Sequence, residues 1–548
     1  MKYRLLTILS ILIPVLSFAQ ESTEDLSWGQ RIDRGFQPIA DTWEFIVLYP
    51  IPIAGYNIPI VLILLVLGAT FFTLYFGFPG IKRFPLAINT VRGKYDELEG
   101  VEGHGVEKAE VNIVEGDLPD TIRDESHEGE VSHFQALATA VSGTVGLGNI
   151  AGVAVAIAVG GPGATFWMIV CGIIGMSTKF VECTLGVKYR DVDEKGTVYG
   201  GPMYYLSRGL KNRGLTGLGK VLAVIFAILC VGASFGGGNA FQSNQAASQL
   251  SSLVGLNFET AGFWIGVILA GIVGIVIIGG IKRIASVTEK IVPFMAVIYV
   301  LAALVIIFAH YEHIGGAFGL IIGGAFSPMA GLGGLVGVLI VGFQRAAFSN
   351  EAGAGSAAIA HSAVKTKYPA SEGVVALLEP FIDTVLICTM TALVIIFFNM
   401  EGSTVQSVFD YGNSANSAVL VNATGEYVGG VDLTSMAFDS IIPHFSYVLT
   451  VAIILFAFST MISWSYYGLQ SWKYLFGRSK WADLSYKVLF LVFVVIGAST
   501  TLNAVIKFSD AMILALVFPN MIGLLLLFPR VKEELGKYLN AIKAMSSK

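Results

Sequence analysis

The stretch Ser142–Asn149, Ser-Gly-Thr-Val-Gly-Leu-Gly-Asn, sets three glycines, two hydroxyls and an amide in the middle of an apolar run from about Phe134 to Val159. A second interruption, Phe348–Ser356 (Phe-Ser-Asn-Glu-Ala-Gly-Ala-Gly-Ser), lies five apolar runs later. Backbone N–H and C=O groups cannot stay unsatisfied in hydrocarbon, so a helix broken there must be buried in protein or hold something polar. The chemistry on offer is that of main-chain dipoles. The outer half of the first broken helix starts near Asn149, and the N–H groups from Gly146 to Asn149, with no Cβ at Gly146 or Gly148, suit a carboxylate. The inner half ends near Ser142–Val145, where carbonyls suit a small cation. Carbonyls near Ala347–Ser349 in the second break suit an ammonium group. A zwitterionic amino acid with Na+ matches this inventory. Each glycine cluster taken alone also suits close helix packing.

Other side chains share that depth. Ser459 and Thr460 sit halfway along an apolar run, where adjacent hydroxyls could complete an oxygen shell for a hard cation or bond back to their own helix. Gln242 could grip a carboxylate or bridge helices. Phe348 and Trp464 could wall a small apolar pocket. Intramembrane charges are functional candidates by default. Arg345 and Glu351, in and beside the second break, read as a gating or structural network ahead of direct substrate contact. Glu379 and Asp383 stand one turn apart, and Lys179 and Glu182 are spaced to pair at a helix end.

Elements that would position these groups follow from composition. Of 548 residues 54% are hydrophobic and 13% charged, against about 25% charged in soluble proteins; the chain is a polytopic, all-α membrane protein. Eleven spanning segments are predicted, at 57–78, 134–159, 164–188, 219–249, 260–280, 288–309, 334–363, 373–399, 443–475, 484–505 and 509–528. Lysine and arginine crowd the loops 79–133, 189–218, 281–290, 364–372 and 476–483 and the tail, which are therefore cytoplasmic. The loops 160–163, 250–259, 310–333 and 400–442 carry none and are external, with Lys507 the main exception. The start, with Lys2 and Arg4 before an apolar run and Ser17-Phe18-Ala19 after it, reads as a cleavable signal peptide over 1–19. The mature N-terminus is then outside a bacterial plasma membrane. The expected organisation is an external segment 20–56, an extra transmembrane helix 57–78, a cytoplasmic loop 79–133 with an acidic insert at 96–130, a first five-helix repeat 134–309, a second repeat 334–528 of opposite topology, and a cytoplasmic tail 529–548. Inverted repeats that each open on a broken helix are the architecture of many secondary transporters. The loop 400–442 reads as a small irregular or hairpin cap.

Several function classes drop out. No basic tract with interleaved aromatics suggests nucleic acid. Cys171, Cys183, Cys230 and Cys388 lack metal-ligand spacing and read as small buried residues. Gly146-x-Gly148 has no preceding strand or βαβ context for a dinucleotide. No catalytic triad, metal motif or phosphate-binding loop supports an enzyme, and no cofactor beyond a coupling ion is expected.

The blocks Ser142–Val153 with Gly160–Trp167, Lys179-Phe-Val-Glu182, Gly200–Tyr204, Phe348–Ser356 with Ile359-Ala-His361, and Phe458–Thr460 through Trp464–Gly468 resemble the alanine or glycine:cation symporter family, the bacterial sodium:alanine symporters. The resemblance covers about 134–530, and Val145–Asn149 also looks like the first unwound helix of LeuT-type neurotransmitter:sodium symporters. It implies a LeuT-type 5+5 inverted repeat with one extra N-terminal helix, and Na+-coupled uptake of alanine, D or L, and glycine. It implies a cation held between Ser142–Val145 and Ser459 with Thr460, and a substrate among Thr144, Gly146, Gly148, Asn149, Gln242, Phe348 and Trp464. A larger residue often stands in the family at the position of Ala354. A transporter-like amino-acid sensor and symport driven by H+ are the alternative readings.

Overall fold

The computed structural model describes residues 28–53, 55–99, 129–193, 196–326, 334–400, 407–415 and 417–547. The expected signal peptide 1–19 and most of the acidic insert 96–130 lie outside them.

Helix α1 (Trp28–Val47) and a short antiparallel hairpin, Pro50–Ile53 with Tyr56–Pro59, precede α2 (Ile60–Tyr75). Next come α3 (His133–Thr144) and α4 (Gly148–Gly160), bent by 49° at the first break. They lead to α5 (Gly163–Lys188), α6 (Thr216–Val254), α7 (Phe258–Ile277) and α8 (Gly280–Ala309). The chain goes on through α9 (Ile314–Phe326), α10 (Gly334–Asn350), α11 (Ala357–His361) and α12 (Pro369–Met400). Past a three-stranded antiparallel sheet at 409–429 follow α13 (Gly430–Asp439), α14 (Phe445–Phe476), α15 (Lys480–Ser499) and α16 (Leu502–Ser546).

A hydrocarbon layer of about 30 Å needs about 20 helical residues. Among the described residues, eight helices are long and apolar enough to span it, and the bent pair α3–α4 makes nine. The shorter apolar helices α2 and α10 lie on the first and seventh predicted segments. Local signals set the ends. Ser132 starts α3 with a capping box, its Oγ accepting from the Gln135 N–H at 3.2 Å and its N–H donating to Gln135 Oε1 at 3.1 Å. Asn257 and Ser479 cap α7 and α15 more simply, each side chain accepting from one first-turn N–H.

The structure corrects three expectations and bears out a fourth. The external stretch 310–333 holds the helix α9 rather than loop alone. The expected hairpin cap is present among the described residues of 400–442 as a three-stranded antiparallel sheet, followed by α13. The last two predicted segments divide at Thr500–Thr501 rather than at 506–508, because the backbone is extended there. The tail from Pro529 continues α16 instead of leaving the helix.

Lys507, the exception to the charge pattern, sits on α16 with its Nζ 2.9 Å from Asp41 Oδ1 and 3.1 Å from Glu44 Oε2 of α1. The hydrogen bond from Lys507 holds the Asp41 carboxyl below the usual carboxylate range. The same helix reaches the α15–α16 turn, where Asp33 accepts from the Thr501 N–H at 2.9 Å and its hydroxyl at 2.8 Å. Lys507 is thus paired by the segment that precedes the first apolar helix.

Candidate functional site

Helix α3 ends because Val145 leaves helical geometry, with ψ at 83°, and α4 restarts at Gly148 with a π turn over Gly148–Gly152. Ser142, at the last turn of α3, meets the middle of α14. Its hydroxyl donates to the Ser459 carbonyl at 2.7 Å, Thr460 Oγ1 donates to the Ser142 carbonyl at 2.9 Å, and Ser463 Oγ donates to Ser142 Oγ at 3.0 Å. All four side chains are buried. The sequence reading brought together Ser142, Val145, Ser459 and Thr460; Ser463, one turn further along α14, was missed. Ser459 Oγ itself bonds back to the Phe456 carbonyl at 3.0 Å.

At the start of α4 the freed N–H groups have side-chain partners. The Leu147 N–H donates to Gln242 Oε1 at 3.0 Å, and the Gly146 N–H to Asn149 Oδ1 at 2.9 Å. A Cβ on Gly146 would stand 2.3 Å from Thr460 Oγ1 and 3.2 Å from Gln242 Oε1, so only glycine lets α6 and α14 close on the break. Gln242 bridges helices: its Oε1 caps the break, while its Nε2 donates to the Gly237 carbonyl of its own helix at 2.9 Å. The Thr144 hydroxyl bonds back to the Ala140 carbonyl at 3.2 Å.

The second break begins after Asn350. Glu351 has φ of 54°, and Gly353 and Gly355 have φ of 92° and 82°, so the left-handed backbone falls here and not at Gly148, whose backbone is helical. Phe348 lies across from Gly148: a Cβ on that glycine would be 3.5 Å from Phe348 Cδ1 and Cε1 and from Ser349 Cα. Trp464 is buried, with its Nε1 donating to Glu351 Oε1 at 2.9 Å. Arg345 and Glu351 have separate partners. Arg345 pairs with Asp510 of α16, which also accepts from Gln344 Nε2 at 2.9 Å, and its guanidinium lies 5.5 Å from the Phe348 ring centre. Glu351 accepts from Ser356 and Trp464. Lys179 and Glu182 do not pair with each other. Lys179 Nζ is 3.1 Å from Glu379 Oε1, and Glu182 Oε1 accepts from Asn520 Nδ2 at 2.7 Å.

Two features escaped the sequence reading. Helix α6 is not continuous: a π turn over Gly236–Ala240 breaks its regular ladder, and a Cβ on Gly238 would fall 2.1 Å from Trp464 Cγ. Three successive glycines followed by Asn239 inside a long apolar run were the signal. The second is the role of Asp383. Its Oδ1 accepts from Asn149 Nδ2 at 2.7 Å, and its Oδ2 from Ser349 Oγ at 2.9 Å and Thr384 Oγ1 at 2.6 Å. One buried carboxylate therefore ties the first break to the second.

The site consists of two interrupted helices, an uncharged oxygen cluster and a glycine packed opposite an aromatic ring. A sequence profile of the sodium:alanine symporter family matches residues 51–548. The chain belongs to the sodium:alanine symporter family. The match begins well before residue 134, so the hairpin and α2 are inside it. Among similar proteins, the sodium/alanine symporter AgcS of Methanococcus maripaludis is 39% identical over 89% of this chain and 96% of its own length. The sodium/proton-dependent alanine carrier protein of Bacillus sp. strain PS3 is 32% identical over 76% of this chain and 90% of its own length. The solved structure of MhsT in complex with L-phenylalanine is 16% identical, with a TM-score of 0.46, over 74% of this chain and all of that one. The family and the two alanine carriers are transporters, so the chain is a multi-pass membrane transporter and not an enzyme.

Proposed function

We propose that the chain is a Na+-coupled symporter that imports alanine and glycine by alternating access, with the Na+ ion among Ser142, Val145, Ser459 and Thr460. The observation that carries the reading is the meeting of the α3 terminus with α14. There, carbonyls of Ser142 and Ser459 and hydroxyls of Ser142, Thr460 and Ser463 converge with no ionised group among them. Hard cations take oxygen ligands; a proton would call for a titratable group. The substrate lies between the breaks. Its carboxylate faces the N–H groups at Gly146–Asn149, exchanging with the Gln242 and Asn149 amides, and its side chain faces Phe348 and Trp464. Thr144 stays on the α3 side of this space. Arg345 with Asp510 closes one face, above Phe348. The two five-helix repeats, 134–309 and 334–528, are inverted, the basic loops lie in the cytoplasm of a bacterium, and the bare loops lie outside.

The energetics allow one ion. A Na+ ion entering across about 100 mV yields about 2.3 kcal/mol, and a tenfold gradient adds about 1.4 kcal/mol. Together these sustain about 500-fold accumulation of a net-neutral amino acid.

Thr460→Ala removes one oxygen from a dry site. The Na+ concentration for half-maximal alanine transport should rise about tenfold, about 1.4 kcal/mol in ion affinity, with a smaller rise in Ser459→Ala and little change in alanine affinity at saturating Na+. Unchanged Na+ dependence in both variants would remove these hydroxyls from the ion site. Phe348 and Trp464, as walls of the proposed pocket with only small residues at the breaks, predict that alanine and glycine compete for uptake while leucine and phenylalanine do not. Tight competition by leucine would refute the pocket.

A further inference from the structure

One chain of buried ionisable groups lies apart from the ion and substrate site. It runs between the ends of both broken helices near the basic loops. His133 opens α3, His361 closes α11, Glu372 and Glu379 stand on α12, and Lys179 on α5. His361 Nδ1 is 2.5 Å from Glu372 Oε1, and its Nε2 is 3.5 Å from Glu379 Oε2. His133 Nδ1 contacts the other oxygen of Glu372. Lys179 pairs with Glu379 at 3.1 Å. Apart from His133, at 6% exposure, the side chains of this chain are fully buried.

The geometry constrains the protons. His361 Nδ1 bonds to Glu372, and Nε2, which makes no hydrogen bond, lies 3.5 Å from the Glu379 carboxylate. A neutral imidazole has one N–H and one lone pair, so one nitrogen would turn its lone pair toward a carboxylate. Either the ring carries both protons or one of the two carboxyl groups does. In both assignments this triad holds one proton beyond a neutral imidazole with two carboxylates. The neighbours raise the need for positive charge. Helix α5 adds Glu182 and the Cys183 thiol beside Lys179, Glu351 stands within electrostatic reach of Lys179 and Glu379, and α14 brings Tyr467. Arg190, its guanidinium donating to the Ser362 and Val364 carbonyls at 3.0 and 2.5 Å, clasps the chain just beyond His361. Buried carboxylates without matching cations are costly.

We infer that His361, clamped between Glu372 and Glu379, is a proton-binding site that latches the basic-loop face shut, so that opening this face releases a proton. The proposal rests on the alternating-access reading above. Separation of α11 from α12 lets water reach the ring. The Nε2–H bond then breaks, the proton passes to water, His361 is left neutral, and Glu379 keeps its charge against Lys179. The closed state binds one proton more than the open state, so acid on this face favours closure and alkali favours opening.

The test uses purified full-length protein in two arms. In proteoliposomes, with external pH and voltage fixed, the initial rate of Na+-driven alanine uptake is measured against internal pH. The wild-type rate should rise with internal pH, by up to about tenfold per unit, and His361→Gln and Glu372→Gln should flatten the profile. In detergent, the unfolding midpoint should fall as pH rises through the range where the ring loses its proton, and His361→Gln should lose that slope. The second arm needs no transport, so absence of Na+-driven uptake would sink the symport reading while the unfolding slope still tested the proton site. A flat wild-type profile, or the same slope in a folded His361→Gln protein, overturns the latch. If His361→Gln does not fold, Glu372→Gln takes its place in both arms, with the same two outcomes deciding.

Discussion

Gly148→Ala is expected to yield a folded membrane protein that no longer binds alanine. The added methyl would stand 3.5 Å from Phe348 and from Ser349 Cα, ordinary contact distances, so nothing has to move. The backbone at Gly148 is helical, and in a helix alanine is favoured over glycine by up to about 1 kcal/mol. Folding should therefore be unharmed. Binding should not survive, because the methyl takes up the space between the α4 terminus and the Phe348 ring, which are proposed to part to admit the substrate. A loss of at least about 100-fold in alanine affinity, about 2.7 kcal/mol, is expected. Thermal stability and labelled-alanine binding, measured on one purified sample, decide the matter. Wild-type affinity in a well-folded variant would remove the substrate from this space. Affinity that falls only in step with folded protein would reduce Gly148 to a packing residue.

Asp383→Ala carries the second large effect, on stability and transport together. The carboxylate accepts from Asn149, 234 residues away in sequence, and from Ser349 and Thr384, and so joins the two breaks. Its removal leaves three buried donors with a lost acceptor, at about 1–3 kcal/mol for each that finds no other partner. The unfolding midpoint should drop by several degrees, and Na+-driven uptake should vanish in whatever protein folds. Asp383→Asn keeps the shape and one acceptor oxygen and should fall between. If Asp383→Ala transports alanine normally, the breaks do not depend on this bridge.

The broad plan was open to reading because bilayer thickness fixes helix length and because backbone cannot go unpaired in lipid. Those two rules find the apolar helices and the break at Ser142–Asn149, where glycine and polar side chains coincide. They failed at Gly236–Ala240, since a π turn keeps the helix running and leaves the apolar run unbroken in length. The hydroxyls of Ser459 and Thr460 drew notice as an adjacent pair. Ser463 did not, because only the three-dimensional meeting of α3 and α14 gives it a role. The ion pairs were the least legible part. Lys179 and Glu182 are spaced as helix neighbours, yet each found a partner on another helix, Glu379 and Asn520. His133 and Glu372 stand 239 residues apart, and nothing local in either segment names the other. Burial forces such pairs to form, but one sequence does not say with whom.

The central claim is that Na+ drives uptake through a site built on the end of α3 and the middle of α14. It is tested most directly by labelled-alanine uptake into proteoliposomes, with external Na+ replaced by choline at fixed pH and voltage. The account predicts concentrative uptake with Na+ and none with choline. Equal uptake in the two would contradict it.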